Sequence, residues 1–186
     1  LGWEWPLNSD DAEDVDFTKP IRRGPCDIGF DRFFGISASL DMPPYVWIEN
    51  DRFTEPGTKA NDMCRPGPQG ESFVFSEVLQ IITKKSVAWI QKQAKTEKPF
   101  FLYMATTLNH VPGPPNKKYT GDPLATPAGL LGSPLDVQPP RSSIPERVRK
   151  AGLSTDGPAC DLLWLDDGIG AVLNRLEELG GLNNTV

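Results

Sequence analysis

Six apolar residues near the end of the chain recur at the spacing of an α-helix. The steps between them alternate between three and four residues along Leu162, Leu165, Ile169, Val172, Leu176 and Leu179. This spacing places the side chains on one side of a helix, which is typical of an amphipathic helix packed on a core. Two glycines follow, at the position where helices commonly end in a left-handed cap. The stripe therefore predicts a C-terminal helix, and residues 183–186 are interpreted as the start of a strand.

A second helix and a buried strand are predicted in the middle of the chain. Apolar residues recur on one helical face from about residue 73 to 95, and Ser72 or Ser76 can cap the first turn. Pro99 ends the run, because the residue before a proline resists helical geometry. The next segment, 100–105, is a short continuous apolar run. Such a run is typical of a strand buried on both faces, as in parallel sheets.

The rest of the chain is rich in turn residues. Ile36 and residues 45–48 are predicted to lie in short strands, whereas 54–70 is interpreted as a loop because it is rich in Pro, Gly and polar residues. Residues 111–158 contain ten prolines, which argues for a surface excursion or a disordered insert. Within that stretch, residues 144–151 can form one or two helical turns.

Helix, buried strand, long connection, helix and incipient strand together predict an α/β fold. We expect a single domain in four parts. Residues 1–70 are loop and short strands, 71–110 a helix–strand unit, 111–158 an insertion or loop, and 159–186 a helix with the start of the next strand.

Charge and composition exclude several classes of function. The formal net charge is −6 and no basic stripe is present, which argues against nucleic acid as a partner. No apolar stretch approaches the roughly 20 residues that a membrane-spanning helix needs. The N-terminal residues lack the basic and apolar regions of a signal peptide. The three cysteines form no CxxC motif and leave the redox compartment open.

The sequence contains no known catalytic motif and one candidate catalytic residue. The sequence has no P-loop, no HExxH and no GxSxG motif, and it contains a single histidine, His110. His110 follows the predicted strand 100–105, and open α/β sheets bind ligands just beyond the carboxyl ends of their strands. A loop histidine bonded to a backbone carbonyl explains the same position equally well.

Two groups of carboxylates are weaker candidates for metal binding. Asp166 and Asp167 are neighbours on the predicted C-terminal helix, so they are interpreted as flanking one face rather than sharing a metal. The acidic run over residues 10–16 could bind a hard cation, but a solvated loop is the favoured interpretation.

Four segments resemble one family of enzymes. They are DVDFTKPI (14–21), GFDRFFGISASLDMPPYVWIENDR (29–52), KPFFLYMATTLNHVPGPP (98–115) and LDDGIGAVLNRLEELGGLNNTV (165–186). In this order they resemble the type I sulfatases, the formylglycine-dependent, arylsulfatase-like hydrolases of the alkaline phosphatase superfamily. The resemblance implies a partial alkaline phosphatase/sulfatase-like sandwich, with a few core strands flanked by helices and long Pro- and Gly-rich loops. It also implies an insertion within residues 120–158.

The resemblance implies roles for four residues. His110 corresponds to a histidine on the sulfate and leaving-group side of the site and is the candidate catalytic residue. Asn109, Asp41 and Tyr45 are candidates for substrate binding. The complete family member is expected to hold Ca²⁺ and to carry a formylglycine nucleophile made in a C-x-P-S-R signature. This chain is expected to contain neither the calcium ligands nor that signature. Cys64 lies in the similar sequence CRPGP, but Pro68 replaces the final arginine of the signature, so Cys64 is interpreted as a loop cysteine.

The predicted function is that of a segment of a sulfuric ester hydrolase, in which hydrolysis requires flanking segments that this chain lacks. The implied partners are a sulfated small molecule or glycan as substrate and complementing sulfatase segments, in the periplasm or outside the cell. The alternative is a non-catalytic remnant, or a weak anion-binding or interaction module. A phosphatase or phosphodiesterase of the same superfamily is disfavoured, because those enzymes use Thr or Ser nucleophiles and metal-binding histidine clusters.

Overall fold

The computed structural model describes residues 3–9, 14–40, 42–61, 65–96, 98–107, 138–155 and 159–186. The described residues divide into two compact units, of which the first ends at Phe75 and the second begins at Ser76. Every β-strand assigned among them lies in the first unit, and every α-helix assigned among them lies in the second.

The first unit contains a small antiparallel sheet. Its strands lie in the order β1 (Phe34–Gly35), β2 (Ile48–Glu49) and β3 (Arg52–Phe53). Ile48 lies opposite Phe53, and Asn50 takes a left-handed conformation (φ 59°) in the tight turn between β2 and β3. β2 overlaps the predicted strand 45–48, and β1 ends just before Ile36. Both short strands were therefore predicted to within about three residues. A 3₁₀ turn at Pro25–Ile28 precedes the sheet.

Aromatic side chains close the core of this unit. The core contains Val15, Ile21, Val46, Ile48 and Phe53, with Trp3, Trp5, Leu7, Phe17 and Phe33 packed around it. The Trp5 ring stacks on Phe53 with centroids 5.6 Å apart, and Phe17 meets the same ring edge-on at 4.8 Å. The described part of residues 3–22 pairs with other strands only through isolated β-bridges, and the amide of Ile21 donates to the carbonyl of Asp51 at 2.7 Å. Apolar burial adds to these hydrogen bonds in holding the segment in place.

A β-hairpin occupies the region that was predicted to be a loop. β4 (Gly57–Asn61) and β5 (Gly67–Gly70) pair in antiparallel register. The prediction of a loop over 54–70 is therefore wrong. It rested on the low strand propensity of Gly, Pro and polar residues, whereas backbone pairing between the two strands holds the hairpin together. An ion pair of 2.7 Å between Lys59 and Glu71 adds to the hairpin.

The second unit is helical in its described part. α1 spans Val78–Gln93, α2 spans Ile144–Lys150 and α3 spans Ala159–Glu178. Short 3₁₀ turns lie at Phe75–Glu77, Arg141–Ser143 and Leu182–Asn184. All three helices were predicted, although α1 begins about five residues later than residue 73. The Ser72 hydroxyl does not cap α1, because it donates a hydrogen bond to Glu55 instead.

The structure confirms the predicted end of α3 but not the strand predicted over the next residues. Gly180 takes a left-handed conformation (φ 71°), and the Gly181 amide donates to the carbonyl of Leu176 at 2.8 Å. The left-handed cap is therefore confirmed. Residues 182–184 form a 3₁₀ turn, and the Thr185 hydroxyl donates to the Gly181 carbonyl at 2.8 Å. The prediction of an incipient strand is wrong, because these local hydrogen bonds continue the helix cap.

The helices share a core that meets the predicted apolar stripe of α3 along one edge. The core contains Leu79, Ile144, Val148, Cys160 and Trp164. Within α3, Trp164 is 2% exposed, whereas Leu162 and Ile169 of the predicted stripe are 46% and 45% exposed. The predicted amphipathic helix is confirmed, since Leu165 packs against the core and Leu176 is 8% exposed. The stripe lies at the edge of the core rather than at its centre, because α1 approaches α3 at Gly168, where the absence of a side chain lets the helices come close.

Gly168 provides a test of this helix contact. A Cβ atom on Gly168 would lie 3.0 Å from Oγ1 of Thr83 and 3.5 Å from Leu79, whereas a Cβ on Gly170 would have no neighbour within 4 Å. We expect Gly168→Leu to lower the free energy of unfolding by about 1–3 kcal/mol through overpacking. The matched variant Gly170→Leu should raise it by roughly 0.5–1 kcal/mol through helix propensity. Urea unfolding followed by far-UV circular dichroism measures both, and equal effects would contradict the observed packing.

The predicted buried strand over 100–105 is not a strand. Residues 98–107 carry no assigned strand, and Phe101 and Tyr103 are 74% and 71% exposed. The prediction is wrong for this structure, because a buried strand needs neighbours on both edges and no strand pairs with this segment among the ranges described. Met104, on the alternate side of the extended chain, packs against the helical core.

Candidate functional site

Only one of the four predicted site residues falls within the described part of the chain. His110, Asn109 and Asp41 lie outside the described residues, as does Cys64. Tyr45 is described. The structure therefore brings no two of the predicted site residues together, and their roles stay predictions. What the structure does show is how the neighbouring segments are anchored.

Tyr45 is a core residue whose polar groups all have partners. Its side chain is 1% exposed, and its hydroxyl donates to the carbonyl of Arg65 at 2.9 Å. Its amide donates to the carbonyl of Pro68 at 2.8 Å, and its own carbonyl accepts from the amide of Gly70 at 3.0 Å. The ring also packs against Phe75 with centroids 4.8 Å apart. Tyr45 thus fixes its segment to strand β5 of the hairpin.

The residues on either side of Asp41 are anchored to the first unit. The amide of Met42 donates to the carbonyl of Ser39 at 3.1 Å, which forms a turn. Pro43 lies so close to Gly67 that a Cβ atom on Gly67 would overlap the proline ring. Glycine is therefore required at position 67 for the loop to rest on strand β5.

The segment that leads to His110 is anchored within the second unit. Trp89 of α1 meets Phe100 edge-on, with ring centroids 5.0 Å apart. Four residues later, Met104 packs against the core that contains Trp164. The chain is therefore held by apolar contacts until six residues before His110.

Asp166 and Asp167 have separate environments, as the sequence predicted. Asp166 is exposed, whereas the side chain of Asp167 is 6% exposed and faces Arg147 of α2. The Arg147 guanidinium donates both NH1 and NH2 to the two carboxylate oxygens at 2.6 and 2.7 Å. The carboxylate of Asp167 raises the pKa of Arg147 above its usual value. This pair joins α2 to α3 and leaves Asp167 unsuited to binding a metal.

The Arg147–Asp167 ion pair was not predicted from the sequence. The two residues are 20 positions apart, and residues 111–158 were interpreted as an insertion or loop. The sequence carried no signal for it, because Asp167 lies opposite the predicted apolar stripe, where a carboxylate is expected to be solvated. In the structure this carboxylate is buried, so it needs a charged or hydrogen-bonding partner.

The acidic N-terminal run forms a turn where it is described. The carboxylate of Asp14 accepts a hydrogen bond from the Asn8 side chain at 3.1 Å. Asp16 accepts from the hydroxyl and the amide of Thr18 at 2.6 and 3.0 Å. Chiefly the Thr18 hydroxyl, with Lys19 next, lowers the pKa of Asp16 to about 2. These carboxylates therefore stabilise local structure, as the solvated-loop interpretation expected for the described part of the run.

A shallow cavity of about 390 Å³ near the ends of α1 and α3 bears on the anion-binding alternative. It is lined by Ala88, Gln91, Lys92, Ala94, Lys95 and Leu179. All six residues are exposed, so the ammonium groups of Lys92 and Lys95 remain hydrated. Exposed lysines without fixed hydrogen-bond donors attract anions weakly and do not select sulfate.

Comparison with known proteins identifies the family. The sequence model of the sulfatase family matches residues 8–186. The chain belongs to the sulfatase family. The N-acetylgalactosamine-6-O-sulfatase of Bacteroides thetaiotaomicron is 25% identical over 225 aligned residues, which cover 98% of this sulfatase chain and 37% of that protein. A solved structure from work on the metabolism of multiple glycosaminoglycans by Bacteroides thetaiotaomicron matches with a TM-score of 0.58 and 26% identity, covering 91% of this chain and 37% of that chain.

These matches confirm the resemblance and the predicted α/β, sulfatase-like fold. They also show that the sulfatase chain spans only 37% of the length of the relatives it matches. Within the ranges that the structure describes, no three His, Cys, Asp or Glu side chains are grouped so that they could hold a metal ion. No helix in those ranges is long and apolar enough to cross a membrane.

Proposed function

We propose that this chain forms part of the catalytic domain of an arylsulfatase-like sulfuric ester hydrolase, and that hydrolysis requires segments beyond these 186 residues. The observation that carries the proposal is the sulfatase family match over residues 8–186. The structural likeness to a relative of which this chain covers 37% supports it. Further support comes from the sequence, which lacks the C-x-P-S-R signature in which the nucleophile of such enzymes is made.

In this proposal His110 lies beside the ester oxygen that leaves as an alcohol. When the S–O bond breaks, its electron pair passes to that oxygen. A protonated imidazole can then transfer its proton there, or donate a hydrogen bond that stabilises the developing negative charge. Asn109 and Asp41 bind the rest of the substrate. Tyr45, which the resemblance also implied as a binding residue, is buried with its hydroxyl bonded to Arg65, so it acts only indirectly. Its main chain holds the segment after Asp41 on strand β5.

Calcium and formylglycine enter only through segments outside this chain. The described residues do not fit a calcium site, because no suitable cluster of ligands occurs among them. The C-R-P-G-P sequence at Cys64 does not fit the nucleophile signature C-x-P-S-R either, because Pro68 stands where the signature has its final arginine. No step at this chain's own residues is therefore assigned to the metal or to the nucleophile.

The proposed substrate class is a sulfated glycan. The named relative is an N-acetylgalactosamine-6-O-sulfatase, and the solved relative comes from work on glycosaminoglycan metabolism. A sugar 6-sulfate would present a primary alcohol as the leaving group. Such an alcohol is a poor leaving group, so it gains most from the proton that His110 would supply. We also propose a periplasmic or extracellular compartment, the one expected from the family resemblance.

The test compares the isolated chain with the assembled enzyme. The chain is expressed alone, and also together with the polypeptides encoded directly upstream and downstream of it and a formylglycine-generating enzyme. Release of sulfate is measured from 4-nitrocatechol sulfate and from N-acetylgalactosamine 6-sulfate. We expect the isolated chain to show no release above the blank and the assembled enzyme to hydrolyse both esters.

Each other outcome contradicts a stated part of the proposal. Hydrolysis by the isolated chain that is abolished in His110→Ala would show that the flanking segments are not required. No hydrolysis by an assembled, stoichiometric complex would favour the non-catalytic remnant. Faster cleavage of 4-nitrophenyl phosphate than of either sulfate ester would assign the chain to a phosphatase of the same superfamily.

A further inference from the structure

Four exposed lysines lie on one side of helix α1 and the turn that ends it. They are Lys84, Lys85, Lys92 and Lys95, and together they are called the lysine face. At 3.6 residues per turn they lie within an arc of roughly 100° around the helix axis. The opposite side of α1 contains the buried residues Leu79, Thr83 and Ile90. No basic stripe was recognised in the sequence, because other residues separate the lysines along the chain and only the helix brings them together.

The lysine face carries positive charge without acidic neighbours on the same helix. α1 contains no Asp or Glu, although the whole chain has a net charge of −6. Exposed surfaces normally intersperse the two signs, and acid–base pairs three or four residues apart stabilise a helix. Among the described residues, Lys84, Lys92 and Lys95 form no ion pair. Their charge is therefore not neutralised by the part of the chain that the structure describes.

The helix dipole accounts for only two of the four lysines. Lys92 and Lys95 lie at the C-terminal end of α1, where positive side chains interact favourably with the dipole. Lys84 and Lys85 lie in the middle of the helix, beyond the last turn in which this effect operates. The middle pair therefore adds positive charge that the stability of the helix does not explain.

The lysine face borders a hollow against which an extended molecule can lie. Lys92 and Lys95 line the shallow cavity of about 390 Å³ near the ends of α1 and α3. Lys84 lies roughly 12 Å from Lys92 along the helix axis, at a rise of 1.5 Å per residue. A single sulfate group therefore reaches only part of the face, whereas a polymer with repeated charges reaches all of it. Such multivalent contact raises affinity although each separate contact is weak.

We propose that the lysine face binds a sulfated glycan chain, the polymeric form of the proposed substrate class. The identity of this occupant rests on the proposed function, and charge complementarity supports it, because such a chain carries negative charge along its whole length. Lysine ammonium groups are flexible point charges that do not select one geometry. The face therefore responds to the length and charge density of the glycan and not to the position of its sulfate groups.

The residues beside the lysine face disfavour a single-stranded nucleic acid as the occupant. Sites for single strands combine positive charge with aromatic side chains on which the bases stack. The described residues that line the cavity include no aromatic side chain. A glycan needs no such platform when its attraction to the protein is mainly electrostatic.

Binding of chondroitin 6-sulfate to the 186-residue chain tests the lysine face without any need for hydrolysis. The affinity is measured by fluorescence anisotropy of the end-labelled polymer over a range of salt concentrations. The test variant combines Lys84→Gln, Lys92→Gln and Lys95→Gln, which remove three charges and keep long, helix-favouring side chains. Far-UV circular dichroism checks that the variant keeps the helix content of the parent.

A second triple variant is the matched control. It combines Arg32→Gln, Arg149→Gln and Lys150→Gln, which remove the same total charge from exposed positions outside α1. We expect the lysine-face variant to bind at least about tenfold more weakly than the parent, and the control to differ by less than about twofold. The slope of log affinity against log salt should fall by about two in the lysine-face variant, because each lost charge contact removes roughly 0.7–0.9.

Chain length gives a further expected result. N-acetylgalactosamine 6-sulfate carries one sulfate group and should bind at least about 100-fold more weakly than the polymer. Equal affinity for the two would overturn the proposal, because a single site would then account for binding.

Three other outcomes would also overturn it. No measurable binding by the parent would do so directly, and equal losses in the two triple variants would assign binding to net charge. Tighter binding of single-stranded RNA than of chondroitin 6-sulfate would assign the face to nucleic acid. Self-association of the parent that the lysine-face variant abolishes would assign it to acidic residues of a second copy.

The proposed function and this inference can fail separately. Glycan binding that depends on the lysine face, in an assembled enzyme that releases no sulfate, would contradict the proposed function and leave the binding surface in place. Sulfate release by an assembled enzyme whose parent and lysine-face variant bind chondroitin 6-sulfate equally would support the enzyme and contradict the binding surface.

Discussion

Replacing His110 by alanine in the assembled sulfatase should lower kcat by a factor of about 100 to 10,000, the usual contribution of one positioned acid or base. The loss should fall mainly on kcat, because the proton or hydrogen bond is needed only as charge develops on the leaving oxygen. KM should change little by comparison. Steady-state hydrolysis of N-acetylgalactosamine 6-sulfate measures both constants.

The leaving group separates a proton donor from a residue that only shapes the loop. 4-Nitrocatechol departs as a stabilised anion, so His110→Ala should slow its release far less than the release of a sugar alcohol. The pH profile should also change, because the limb that reports loss of the imidazole proton should disappear from the variant. Gln at position 110 keeps a hydrogen-bond donor without a titrating proton and should recover part of the rate with a flat profile. Equal losses for the two leaving groups, or a loss below threefold, would contradict the role of His110 as a proton donor.

Local patterns in the sequence predicted the helices well. The apolar spacing before Pro99, the segment 144–151 and the C-terminal stripe each correspond to a helix in the structure. The glycine that ends α3 was also located correctly, because a left-handed cap is a local property of one residue. Helix formation depends on residues three and four apart, so a single segment carries the information.

Non-local structure was predicted poorly, for reasons that particular residues make clear. The hairpin β4–β5 forms through backbone pairing and through Tyr45, which lies well before it in the sequence. The apolar run 100–105 shows that these side chains favour burial, but it does not show whether a neighbouring strand is present to pair with the segment. The pattern of α3 showed that the helix is amphipathic but not which of its sides meets α1. That choice depends on Gly168 and on the Arg147–Asp167 ion pair.

The candidate site was predictable only through family resemblance. His110 is one histidine at the end of an apolar segment, and chemistry within this chain supplies it with no nucleophile motif and, among the described residues, no metal cluster. The sulfatase match over residues 8–186 gives its position a meaning that local pattern cannot. Active sites of this kind are assembled from segments far apart in sequence, so a chain that spans 37% of its relatives carries only part of the information.

Trp164→Ala should lower the free energy of unfolding of the helical unit by about 3–5 kcal/mol, the usual cost of removing a large buried aromatic side chain. Trp164 is 2% exposed and lies in the core with Ile144, Val148 and Cys160, so its loss leaves a cavity where α2 and α3 meet. For a chain of this length such a loss corresponds to a fall in melting temperature of roughly 6–20 °C. Thermal unfolding followed by far-UV circular dichroism measures it. Trp164→Phe, which removes fewer atoms, should cost less and stay measurable if the alanine variant does not fold.

The matched control for this variant lies two residues earlier on the same helix. Leu162 is 46% exposed, so Leu162→Ala should change the stability of the isolated chain by less than about 0.5 kcal/mol. A large destabilisation of the isolated chain by Leu162→Ala, with little from Trp164→Ala, would mean that α3 is rotated about its axis, with Leu162 rather than Trp164 facing the helical core. The two substitutions together therefore decide which side of this helix holds the chain together.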